Sequence, residues 1–369
     1  MCHLIYTDTF YMKRKWIRWV SWILLTPIIL FVILMVLLYV PPVQNLLRRE
    51  VTAYASKATG MQIQVERIDL RFPLNLLVRG VEVIQQPDTL LSLESLNVRV
   101  QAWPLIKGKV EVDEVTLSRV AVNSADLMEG MKIKGVLGRF FLQSHGVDLS
   151  NELAVINQVE LSDTHVQLLM NDTTTTPKDT TASAPINWKV ALHQLKLKNV
   201  SFSMQLPADS MRMAAHIGEA AIDDAQADLK NQYYDLKKFL LSGTSASYDT
   251  GTAQPAEGFD ASHIAVRDIR IALDSLLYKG RDMNAVIREF TMNERSGLSV
   301  TSLTGRAYSN DSVICVPGLK LNTPHSEIDL SAHTYWELVN IPTTGRLSAR
   351  LNAYIGKEDV MLFAGGLPE

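Results

Sequence analysis

From residue 61 onward the chain alternates apolar and polar residues with a period of two, the mark of strands that bury one face. The alternation runs through IQVERIDLRF, LLVRGVEVI, LESLNVRVQ, GKVEVDEVTL, AVINQVEL, HVQLLM, WKVALHQLKL, VSFSMQL, IAVRDIRIAL and MNAVIREFTM. Just before it, VQNLLRREVTAYASKATG carries Val43, Leu46, Leu47, Val51, Tyr54, Ala55 and Ala58 at helical spacing, with Gly60 as the stop. This predicts one amphipathic helix over 41–60, either a cap on the first strands or a plug for whatever lies above it. Ala225 to Leu241 is the one later stretch expected to be helical. Two segments, 171–185 (NDTTTTPKDTTASAP) and 243–262, are rich in Thr, Ser, Gly and Pro and read as exposed loops.

The strands repeat. VDEVTLSRVAV at 112–122, INQVELSDTHVQL at 156–168 and LHQLKLKNVSFSM at 192–204 share an apolar, two polar, apolar, polar, apolar frame. After two or three more residues each resumes alternation, and 262–273 is a looser fourth copy. A second recurrent element is aspartate, hydroxyl residue, apolar residue, at Asp88, Asp209, Asp274 and Asp311, and suits turns at strand ends. Such repetition predicts a mostly β chain forming one elongated, quasi-one-dimensional sheet with successive strands side by side. The apolar face of that sheet carries Val115, Leu117, Val159, Leu161, Val166, Leu168, Leu195, Leu197, Val200, Phe202 and Met204. Thr116, Gln167, Ser201 and Ser203 fall on the other face. Two structures satisfy the pattern: a sandwich in which a second layer covers the apolar face, or a curled sheet whose apolar face lines a groove.

Upstream, Trp19 to Leu47 holds no charged residue, and Val20–Val40 (VSWILLTPIILFVILMVLLYV) is long enough to cross a bilayer. Val20, Trp22, Leu30, Leu34 and Val40 belong to this anchor, taken as 16–40 with its aromatic flank. Lys13, Arg14, Lys15 and Arg18 abut its N-terminal end, so the positive-inside rule keeps residues 1–15 in the cytoplasm and exports everything after Val40. LLYVPPVQNLL offers no small-residue cleavage site, which makes the segment an uncleaved signal anchor. MKRKWIRWV reads as a basic leader, and translation is expected to start at Met12.

Apolar residues make up 47% and charged residues 20% of the 369, as in proteins that fold in water, and the length exceeds that of one compact core. A net charge of -3 gives no basic field for nucleic acid. Cys2 and Cys315 lie on opposite sides of the anchor, which supports neither a disulfide nor a cysteine metal site. No GxSxG, HExxH, P-loop or GxGxxG is present, and the histidines are scattered without metal-ligand spacing. No catalytic residue, metal or cofactor is therefore assigned, and an anchored envelope enzyme ranks below a binding function. Asp172 and Asp179, each followed by two threonines, resemble the O-glycosylation sequon of Bacteroidetes; a polar spacer accounts for the same residues.

The basic start and single anchor, the helix ending in ATG, MQIQVERIDLRFPLNLLVRGVEV and above all WPLIKGKVEVDEVTL with Pro104, Leu105 and Gly108 are similar to the N-terminal region of the AsmA and TamB superfamily. IKGVLGRFFLQSHGVDL resembles the long TamB-type proteins of Bacteroidetes. The resemblance covers nearly the whole chain from Met12 and carries no active site. It implies an inner-membrane-anchored, periplasmic β-groove of the bridge-like lipid transfer type, in segments 61–170 and 186–369, through which phospholipids move towards the outer membrane. It also implies an outer-membrane barrel partner like TamA, and hence an alternative role as an assembly factor whose sheet edges pair with client strands. Members of that family are far longer and end in a characteristic domain, so a chain truncated at its C-terminus is expected.

Overall fold

The computed structural model describes residues 40–72, 74–85, 87–106, 111–124, 130–148, 151–171, 187–340 and 345–364. Helix α1 (Pro41–Thr59) leads into β1 (Gln62–Arg71), β2 (Asn75–Gln85) and β3 (Asp88–Val100). After the short α2 (Ala102–Ile106) come β4 (Val112–Asn123), β5 (Met131–Asp148), β6 (Leu153–Met170) and β7 (Lys189–Leu206). Then follow β8 (Met211–Asp228), β9 (Tyr233–Asp249), β10 (His263–Lys279), β11 (Asp282–Glu294) and the two-residue β12 (Ser299–Val300). The last strands are β13 (Ser302–Ser309), β14 (Val313–Asn322), β15 (Glu327–Tyr335) and β16 (Leu347–Tyr354), with α3 (Trp336–Asn340) and α4 (Lys357–Phe363).

All sixteen strands form one long, curled sheet that does not close. Strands pair in chain order from β1 to β16, with β12 attached to β11 beside the main path. Every pairing is antiparallel except β6 with β7, which run parallel, Leu153 opposite Lys189 and Leu168 opposite Met204. A parallel pair requires a long crossover, and the Thr-rich stretch supplies its length; residues 172–186 lie outside the description. Substantial contacts between elements run only between sheet neighbours, apart from α1 on β1 and α3 on β15. No large side chain among the described residues is fully buried.

The repeated sequence frame has a structural cause. Arg119, Asp163 and Asn199 adopt positive φ of 46°, 51° and 53°, as do Gly80 and Gly243 at 59°. The pairing registers place all five at one level across the sheet, forming a transverse crease. Each strand uses one extra residue there, as at a bulge. Apolar positions therefore step by three across the crease, from Leu117 to Val120 and Leu197 to Val200, and on β6 the place after Leu161 is taken by Thr164, opposite Leu137 and Val200. A strict step of two would send half of each strand's apolar residues to the other face. Gly138 lies opposite Asp163, where a Cβ would stand 2.7 Å from the Asp163 Cβ and 2.9 Å from its carbonyl oxygen.

Several sequence expectations are corrected. Ala225 to Leu241 is not a helix: it ends β8, turns at 229–232 and begins β9. Alternation of Ala225 with Ala227 and of Tyr234 with Leu236 outweighs its helix propensity, since a lone helix would have no layer to pack on. The loop expected over 243–262 is strand until Asp249. Asp274 is not in a turn but lies within β10, 3.2 Å from Arg288. After β16 the chain forms α4, inside the 186–369 segment expected to be β-groove. The anchor residues Val20, Trp22, Leu30 and Leu34 and the cations Lys13, Arg14, Lys15 and Arg18 lie outside the described residues. No described helix is long and apolar enough to cross a membrane.

Candidate functional site

Paired residues on neighbouring strands share a face, so the registers trace how apolar side chains line up across the sheet. One transverse row runs Leu70, Leu76, Val98, Val115, Leu142, Val159, Leu195, Ile222, Phe239, Leu273 and Ile287 through β1 to β11. It continues as Gly305, Leu319, Leu330 and Leu351 through β13 to β16. The row crosses fifteen strands with an apolar side chain on all but β13. At about 4.8 Å per strand, it extends roughly 65–70 Å along the curve. Gly305 marks a close approach of two strands, because a Cβ there would lie 2.5 Å from the Gly318 carbonyl oxygen.

A second row lies two residues away on the same face: Ile68, Val78, Leu96, Leu117, Phe140, Leu161, Leu197, Ala220, Leu241, Ile271 and Phe290. Beyond the crease, Val83, Leu91, Val122, Gly135, Val166, Phe202, Ala215, Ala246 and Val266 make a third. Ile133, Leu168, Met204, Met213, Tyr248 and Ile264 make a fourth. From β1 to β15 the side chains of the first row are half-buried, and Phe202 is 41% exposed. Among the described residues no second sheet covers this face, which separates the structure from a sandwich.

Ten of the eleven residues singled out from the sequence fall in these rows. Val115, Val159 and Leu195 share the first, Leu117, Leu161 and Leu197 the second, Val166 and Phe202 the third, and Leu168 and Met204 the fourth. Val200 pairs with Thr164 and Ile217 between the second and third. Sequence reading missed the continuation through Ile222, Phe239, Leu273 and Ile287. Its signal was the same stepping by two and three, hidden where 225–241 was read as helix.

The other face is polar. Between the second and third rows, Arg67, Arg79, Ser95, Ser118, Arg139, Ser162, Lys198, Glu219 and Ser242 succeed one another across β1 to β9. Its histidines are engaged locally. Asn157 Nδ2 lies 3.1 Å from His145 Nδ1, His193 Nδ1 lies 3.1 Å from Asp224 Oδ1, and His216 Nδ1 lies 2.9 Å from Ser201 Oγ. No group of three metal-ligating side chains occurs among the described residues. Two carboxylates outside the apolar rows titrate low. The Asn231 side-chain and backbone N–H groups hold Asp228 below the usual carboxylate range, and at Asp359 the Ser326 and Thr323 hydroxyls do the same.

Such a surface can hold a long apolar molecule by desolvation. A scan against protein-family models finds no match for this chain, and a search of curated proteins finds no similar one.

Proposed function

We propose that this chain is a non-enzymatic lipid conduit of the AsmA/TamB type, anchored in the bacterial inner membrane by Val20–Val40 with its sheet in the periplasm. Phospholipid acyl chains lie along the apolar rows while headgroups stay in water, which links the inner membrane to outer-membrane biogenesis. The supporting observation is the first row, interrupted only at Gly305, half-buried on thirteen strands and without a covering layer among the described residues. Full burial is worth about 0.8 kcal/mol per methylene. An open face covers a chain on one side, so roughly half of that applies. Because each strand presents much the same aliphatic surface as the last, moving along the row exchanges like contacts for like and creates no deep trap.

Photocrosslinkers placed along Val200 to Met204 test this reading. Positions 200, 202 and 204 are expected to capture radiolabelled phospholipid in cells, and 201 and 203 are not. Adducts without alternation, or only intramolecular protein adducts, overturn it. Phe202→Asp is expected to fold, since a carboxylate there stays hydrated, and to lose lipid capture at 204. In a closed core the same change would cost several kcal/mol.

A second reading, an assembly factor working with a TamA-like barrel, draws on β16. All eight of its residues are exposed, and it pairs only with β15 among the described residues. An open edge accepts a client strand by β-augmentation. Crosslinks from Ser348 or Arg350 to outer-membrane protein strands are expected on this reading, and capture of lipid without such crosslinks counts against it.

A further inference from the structure

Helix α1 meets the sheet through its polar stripe. Gln44 Nε2 donates to the Leu70 carbonyl and Arg48 Nη1 to that of Val65, both at 3.1 Å, while the Ile63 N–H donates to Ser56 Oγ at 3.1 Å. The cause is the free edge of β1, whose unpaired backbone groups need donors and acceptors more than apolar contact. The consequence is that the apolar stripe is left outside: Leu46 is 59% exposed, Val51 46% and Tyr54 77%.

We propose that a lipid surface covers this stripe, so that α1 lies in the plane of the membrane interface with Leu46, Val51 and Tyr54 at the headgroup and acyl boundary. The proposal rests on the membrane-anchored reading above and adds to it an orientation. Two observations commit to this occupant. The apolar sequence Val20–Val40, long enough to cross a bilayer, ends at Val40, the residue that N-caps α1. Val40 is extended, with φ -80° and ψ 131°, and Pro41 opens a new helix, so nothing separates the end of the apolar stretch from α1. In addition, the exposed charges of α1 are Arg49, Glu50 and Lys57, a net positive set that suits anionic headgroups, with Glu50 between Leu46 and Tyr54 at headgroup level.

The contacts run in opposite order along the two elements, Gln44 with Leu70 and Ser56 with Ile63, so α1 lies antiparallel along the β1 edge. With α1 in the interface, β1 runs along the membrane surface and each later strand stands farther from it. The transverse apolar row then begins at the lipid surface, with Leu70 and Leu76, and leads away from it one strand at a time.

The test uses full-length protein carrying Cys2→Ser and Cys315→Ser, with single nitroxide-labelled cysteines at Leu46, Val51 or Tyr54. It is reconstituted in vesicles of phosphatidylcholine containing one quarter phosphatidylglycerol. Accessibility to an aqueous nickel complex is expected to fall about threefold or more relative to the same label at Lys238, while accessibility to oxygen rises. Labels as open to nickel as Lys238 overturn the proposal. Labels shielded from both reagents mark burial against protein, a second copy included, and overturn it too. Water-exposed labels with lipid still captured at Phe202 refute the orientation alone. Lipid-embedded labels without capture at Phe202 refute the conduit alone.

Discussion

At Gly138 and Asp163 two neighbouring strands approach closely enough that only one of them carries a side chain at the crease. Gly138→Val is expected to lower stability by roughly 2–4 kcal/mol, because its Cβ meets backbone as well as the Asp163 side chain. Asp163→Gly is expected to stay within about 1 kcal/mol of the parent: it relieves the left-handed backbone while giving up the Asn199 hydrogen bond. Thermal melting of the two variants side by side checks the contrast. A second residue-scale device closes the loop before β10. Asp260 accepts N–H groups of Ala256 and Ser262 and pairs with His263 at 2.8 Å, and these partners lower its pKa to about 2. Its unfolded value is about 3.9. Because the folded value is the lower one, the stabilisation is complete above about pH 4 and is lost as the pH falls towards 2. Proteolytic nicking within 250–262 is expected to rise over that window in the parent, and to be already high at pH 7 in Asp260→Ala.

At the scale of elements, the two ends of the sheet are treated differently. The β1 edge is filled by α1, whereas the outer edge of β16 is not paired among the described residues. Gln44→Ala combined with Arg48→Ala removes side-chain donors to Leu70, Val65 and Glu66. Bonds from charged groups are worth about 1.5–3 kcal/mol when shielded and less when part-exposed, so a loss of roughly 1–2 kcal/mol is expected. The uncovered β1 edge should also raise concentration-dependent association, measurable by light scattering in detergent. Light scattering unchanged from the parent would show that α1 guards no edge. The parallel junction of β6 with β7 is the other distinctive element. It reverses the direction of later strands without interrupting any apolar row, since Val159 still faces Leu195 and Leu161 still faces Leu197.

For the whole molecule, the pattern of contacts sets the stability. Strands rest almost wholly on their sheet neighbours, so the sheet behaves as a chain of nearest-neighbour units, as repeat proteins do. A local lesson follows for Gly305, at the β13–β14 approach. Gly305→Val is expected to speed amide exchange in β13 to β15 while β3 to β5 keep the parent's protection. Mass-spectrometric hydrogen exchange checks this, and uniform acceleration across the sheet would show a single cooperative core instead. Among the described residues the same one-layer construction leaves the apolar face available over the full length of the sheet. A second layer would stabilise the chain and abolish the surface.

The sequence alone determined that the chain from residue 61 onward is made of strands and which residues of β4, β6 and β7 share the apolar face. Alternation is local, and Val115 and Leu117 or Val200 and Phe202 declare their side within a few residues. It also held a record of the crease, in the steps of three at Leu117–Val120 and Leu197–Val200, although nothing local says that those steps align from strand to strand. Register decided that, and register arises from pairing between residues far apart in the chain. Tertiary structure likewise decided that Ala225–Leu241 is strand, because good helix formers there find β7 and β10 as neighbours and no surface for a helix. It turned the polar stripe of α1 towards β1, since an open backbone edge outbids apolar contact. Finally, it chose the open sheet over the sandwich, a choice to which an alternating pattern is blind: each strand asks only for an apolar partner on one side, and the strand cannot say whether that partner is protein or lipid.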